Sequence, residues 1–132
     1  MRSADAAGVL LCTLLMHLAG CGESDPLADA KYKIPVYPGA QFVERDTHSY
    51  SAGNDFNSLQ GYDDILWTYR TADPPEKVIA FYEKMPEVKS LGAEDGETML
   101  QFRPPKPISF TTFNIVVHKG KFVITQSTRR RR

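Results

Sequence analysis

The stretch Asp73-Pro74-Pro75-Glu76 constrains the fold more than any other part of this 132-residue chain. An acid at the cap, Pro at the first turn and Glu close behind read as a helix start, with Asp73 as the expected N-cap. Val78, Phe81, Tyr82 and Met85 follow at i, i+3, i+4 and i+7, which makes one apolar stripe about three turns long. Pro86 then ends the helix. An amphipathic helix of this length must lay its stripe on something. No second helix of comparable periodicity is available in the body of the chain, so the partner is expected to be a sheet.

The remaining segments supply that sheet. Residues 41–50 read as a strand with imperfect alternation, and 51–61 as a loop marked by Gly53-Asn54-Asp55 and Gly61. Residues 64–71 alternate better, with Ile65, Trp67 and Tyr69 on one face. Beyond the helix, 91–96 reads as a turn-rich connection and 97–103 as a strand. Pro104-Pro105-Lys106-Pro107 interrupts. Residues 110–118 place Phe113, Ile115 and Val117 on one face. Lys119-Gly120 turns the chain, and 122–127 returns with Phe122 and Ile124 inward, a β-hairpin by pattern. The order β-β-α-β-β-β implies an α+β fold: a mostly antiparallel sheet of about five strands covered by one main helix. In that packing Trp67 and Phe81 are expected where sheet and helix meet.

The N-terminus is of another kind. Arg2 precedes a ten-residue apolar run, 9–18, too short for a hydrocarbon core that needs about 20 residues. Leu18-Ala19-Gly20-Cys21 closes the run and Gly22-Glu23-Ser24-Asp25-Pro26 breaks it. This tetrad, in this position, resembles the lipobox of bacterial lipoproteins. The resemblance implies a signal peptide over 1–20, cleavage before Cys21 and acyl chains on its thiol. Two or more chains hold a protein to a bilayer stably, since each buried methylene contributes about 0.8 kcal/mol. Gly22, where Asp would resemble an inner-membrane retention signal, implies the periplasmic face of the outer membrane in a Gram-negative host. Residues 21–33 are then expected to be the lipidated Cys and a flexible tether, and 34–127 a single domain.

A second resemblance covers roughly residues 34–127. Val36-Tyr37-Pro38-Gly39-Ala40, a strand ending in Tyr69-Arg70-Thr71, and Pro75-Glu76-Lys77-Val78-Ile79-Ala80-Phe81-Tyr82 are similar to a small domain of bacterial and archaeal envelope lipoproteins. That group pairs a "P-x-Y-P-G-A" opening with a "T-x-D-S-P-E-K-V-x-x-F-Y" helix. This chain departs from it with Pro74 where Ser is common and with the 104–107 proline interruption. The shared motifs are structural, and the group has no assigned reaction, so the resemblance implies location and fold without a substrate.

Composition narrows the chemistry. The chain holds two Cys, and Cys12 leaves with the signal, so neither a disulfide nor a multi-Cys metal site is expected in the mature protein. No nucleophile elbow is present, and the chain is expected to be no enzyme and to need no cofactor. A metal site could be drawn from Glu44, Asp46 and His48 at alternate positions of one strand; the solvent-facing side of an edge strand is the preferred reading. Asp63-Asp64 reads as turn capping. The aromatics Tyr62, Trp67, Tyr69, Phe81 and Tyr82 are read first as core. They also leave open a ligand groove between helix 74–85 and the sheet.

Charge is unevenly placed. Residues 21–128 carry 11 Lys/Arg against 15 Asp/Glu, and Arg129, Arg130, Arg131 and Arg132 follow. The tail 128–132 is read as a basic segment, either solvated or paired with phosphates of anionic headgroups. The expected role is a non-enzymatic envelope lipoprotein. Its expected partners are the membrane, through the lipid, and an envelope protein or anionic headgroups. Nucleic acid is not expected.

Overall fold

The computed structural model describes residues 25–51 and 61–130. Six strands and one helix follow in the order β1 (Gln41–Ser51), β2 (Gly61–Arg70), α1 (Pro75–Glu83), β3 (Val88–Glu94), β4 (Glu97–Phe102), β5 (Thr111–His118) and β6 (Lys121–Arg130). The strands form one sheet, ordered β1-β2-β6-β5-β4-β3, antiparallel throughout. The expected α+β class holds. The strand count rises from five to six, because residues 88–94, read partly as a turn-rich connection, form β3.

Two features hid β3. It is an edge strand with one buried-side neighbour, so no alternation is demanded of it. Its register also shifts between Ser90 and Gly92, with Gly92 at φ 119°. A bulge breaks the period of two that identifies strands. The turn after it is better marked: Asp95 (φ 50°) and Gly96 (φ 78°) both lie in the left-handed region, as a tight hairpin turn requires.

Face by face, the alternation expected for the central strands holds. Trp67, Tyr69, Leu100, Phe102, Phe113, Ile115, Val117, Phe122 and Ile124 all face one side and are buried. Directly opposed residues share a face, and the registers bring Trp67 to Ile124, Ile124 to Ile115, and Ile115 to Leu100 in one row. Val78 and Tyr82 of α1 close over this surface, with Phe81 and Met85 partly buried beside them. The rings of Tyr82 and Phe122 meet at 6.0 Å.

The helix does not cover the sheet alone. It packs over β3 and β5, and residues 25–40 add a second cover, with the Tyr32 ring against Phe102 and Phe113. Leu27 and Ile34 are buried within the core, at 4% and 2% exposure. Residues 25–33, expected to belong to a flexible tether, are therefore part of the fold. Asp25 starts the segment with an Asx turn, its Oδ1 accepting the Leu27 N–H at 3.0 Å. Its other oxygen receives Lys33 Nζ at 2.7 Å. The Lys33 hydrogen bond, with that of Leu27, holds the Asp25 carboxyl below the usual carboxylate range. The Lys31 N–H donates to Gln126 Oε1 at 2.7 Å, and Arg45 pairs with Asp29. Gln126 is the one buried polar residue of the described core, and its amide is what fastens the segment to β6.

The helix start also differs in detail. Pro74, extended at φ −64° and ψ 151°, occupies the N-cap position and offers no side-chain cap. Asp73 stands one residue too early. Its carboxylate accepts the Tyr37 hydroxyl at 2.6 Å, tying the Pro38-Gly39 turn to the helix entry. The hydrogen bond to Asp73 raises the Tyr37 phenol above its ordinary value.

Candidate functional site

Arg129 and Arg130 are not a loose tail. They complete β6, where Arg129 lies opposite Tyr62 and Arg130 opposite Gly61. The expected boundary of the basic segment at 128 therefore gives way to a strand that runs through Arg130. The cause lies across the sheet: β2 begins at Gly61 rather than at 64, and those three extra residues give 128–130 a partner to pair with. Arg131, Arg132 and Cys21 lie outside the described residues.

Arg130 is built into its corner. Its Nε lies 3.3 Å from Asp63 Oδ1, two residues along β2 on the same face, and its Nη2 donates to the Tyr50 carbonyl at 3.0 Å. Ser49 Oγ donates to the same Asp63 oxygen at 2.7 Å. A Cβ at Gly61 would strike both the Arg130 guanidinium and the Tyr50 carbonyl. Glycine there allows the arginine to cross over the strand end. Asp63 is thus an ion-pair partner within a strand, not the turn cap expected of it. No sequence signal announces this cluster, because Ser49, Asp63 and Arg130 meet only through the register of three strands. The pairs are half exposed, and an ion pair of this kind is worth at most about 1 kcal/mol.

Glu44, Asp46 and His48 share the open face of β1, His48 opposite Asp64 and stacked on Tyr50 at 6.4 Å. Among the described residues no group of three or more His, Cys, Asp or Glu is placed to hold a metal ion. His118, at the end of β5, puts Nδ1 3.2 Å from Glu97 Oε1 and is only partly exposed.

The groove considered between helix and sheet is filled. Trp67 and Tyr82, the rings that would line it, are each fully buried. Tyr82 accepts the Tyr37 N–H on its hydroxyl at 3.2 Å, and burial pushes its phenol far up. Trp67 Nε1 is buried with no hydrogen-bond partner among the described residues. Two clefts lie elsewhere. One, of about 280 Å³, sits on the open face beside the β3 bulge, between Leu91, Glu94, Glu97, Met99 and Val116. The other, of about 240 Å³, lies at the proline interruption, lined by Phe102, Pro104, Pro107, Ile108 and Phe113. Both are shallow and neither gathers a nucleophile with a base. No helix among the described residues is long and apolar enough to cross a membrane.

No family model, curated protein or solved structure matches the chain.

Proposed function

We propose that the protein is a lipid-anchored envelope lipoprotein with a binding or accessory role and no reaction of its own. The observation that carries this reading is Leu18-Ala19-Gly20-Cys21 at the end of a short apolar run, placed immediately before the fold. The packing of the N-terminal segment adds a consequence. Leu27 is locked in the core, so six residue steps separate it from Cys21. Fully extended, they reach about 20 Å. Under this reading the domain rides on the membrane surface and is not lifted away by a long tether. The Arg129–Arg130 corner, continued in sequence by Arg131 and Arg132, adds positive charge suited to anionic headgroups. Arg130 would have to exchange Asp63 for a phosphate to take part.

The test is the intact mass of the protein recovered from membranes, beside the Cys21→Ser variant. A mass equal to residues 21–132 plus acyl chains is expected, with the variant unprocessed or soluble. A mass without lipid removes the anchor and the surface-riding geometry together.

A further inference from the structure

No described strand pairs with the outer edge of β1 or of β3, and the two edges offer different things to a partner. β3 is seven residues long and broken at its middle by the Ser90/Gly92 bulge. In β1 the irregularity lies at the start, between Phe42 and Glu44, and the register then runs unbroken from Glu44 to Ser51. Every residue of β1 is exposed. The strand holds neither Lys nor Pro, two common guards of a sheet edge.

We propose that β1 pairs antiparallel with β1 of a second copy of this chain, about a two-fold axis through Thr47 normal to the sheet. The argument is self-complementarity of the exposed row, which carries carboxylates at one end and the N–H and O–H donors of His48 and Tyr50 at the other. Glu44, Asp46, His48 and Tyr50 share the open face, as their partners Thr68, Leu66, Asp64 and Tyr62 show. Such an axis keeps each residue on its own face, so residues pair only with others of equal parity. Centred on Asp46, two carboxylates meet. Centred on Arg45, Glu44 meets Asp46 twice. Centred on His48, two imidazoles face each other. Centred on Thr47, Asp46 faces His48 and Glu44 faces Tyr50, each pair made twice, while Arg45 faces Ser49 on the other side. The acidic half of the row thus meets the ring half of its copy. Cross-strand pairs of this kind both stabilise a ladder and fix its register. The product is one continuous sheet of twice the width with both helices on the same side. This inference does not rest on the lipid anchor.

The experiment is oxidative cross-linking of the purified full-length chain carrying Thr47→Cys, with Ser49→Cys as comparison. The unsubstituted chain, with Cys12 and Cys21, sets the background. At Thr47 the two Cα atoms would stand about 5 Å apart, within the span a disulfide bridges. At Ser49 they would be offset by four residues, about 13 Å along the strand, and out of reach. Rapid dimer formation at Thr47 alone is expected. Asp46→Lys, added to Thr47→Cys, should slow it about tenfold by putting an ammonium opposite each His48. Within its own chain position 46 faces only Leu66, so the melting temperature should hold. No cross-link above background at Thr47, equal cross-linking at both positions, or indifference to Asp46→Lys would overturn the proposal.

Discussion

β1 and β6 flank the same strand. Each pairs with β2 over nearly its full length, yet β6 alternates buried and half-buried along its middle while β1 is exposed at every residue. β6 is also paired with β5, whereas no described strand pairs with the other side of β1, but sharing β2 as a neighbour does not by itself bury a strand. The second layer does. Leu27, Ile34, Val78 and Tyr82 join inward side chains of β2, β4, β5 and β6 in one buried cluster, and no residue of β1 belongs to it. Ladder bonds fix register; only the covering layer removes apolar surface from water, and that removal carries most of the stability.

The comparison can be broken most violently at its centre. Trp67→Ala should cost about 3–5 kcal/mol, measured by denaturant unfolding, because a fully buried ring leaves a cavity. Phe42→Ala, one strand over, touches Tyr69 edge-on but stays 42% exposed, and should cost under about 1 kcal/mol. Equal costs would mean that β1 is covered in solution.

Leu27→Ala sharpens the same contrast from the other layer. A tether residue would be silent, whereas a core residue should cost about 2–4 kcal/mol. An unchanged melting temperature would return residues 25–33 to the tether.

Tyr82→Phe removes only a hydroxyl and should cost about 1 kcal/mol through the lost bond from the Tyr37 N–H. Its pH signature is more telling. Burial raises the phenols of Tyr69, to about 12, and of Tyr82. Groups with folded values above their unfolded value near 10 contribute stability that is intact below pH 10 and lost as pH rises through the folded value. Melting temperature should therefore fall between pH 10 and 12, and fall less steeply in Tyr82→Phe. A parallel fall in both proteins would exclude Tyr82 as a source.

The smallest effect is expected at Asp73→Ala. Without a side-chain cap to lose, the variant gives up only the partly buried bond from the Tyr37 hydroxyl, about 0.5–1 kcal/mol. Tyr37→Phe should match it, and the double variant should cost no more than either alone. Additive losses would mean that Asp73 acts on the helix by itself.

Much of this was legible in the linear chain. The stripe Val78, Phe81, Tyr82, Met85 and the alternations through Trp67, Phe113 and Phe122 are local periodicities, fixed by the geometry of a helix and of a strand whatever surrounds them. They determine a helix-on-sheet fold and name most of its core. The Asp95-Gly96 turn lies inside the stretch read as a turn-rich connection, and the hairpin it closes between β3 and β4 is not recognised there. What the sequence could not determine depends on distance. Leu27 sits between Pro26 and Ala28 with no periodic stripe around it, and its burial is decided by how the N-terminal segment comes to lie against the core. Gln126 alternates with Ile124 as an inward residue, but only the Lys31 N–H arriving from the far end of the chain makes a buried amide tolerable. The Asp63–Arg130 pair exists because β2 and β6 align in one register. Periodicity is written residue by residue; which surfaces remain uncovered, and what comes to cover them, is settled only when the layers meet.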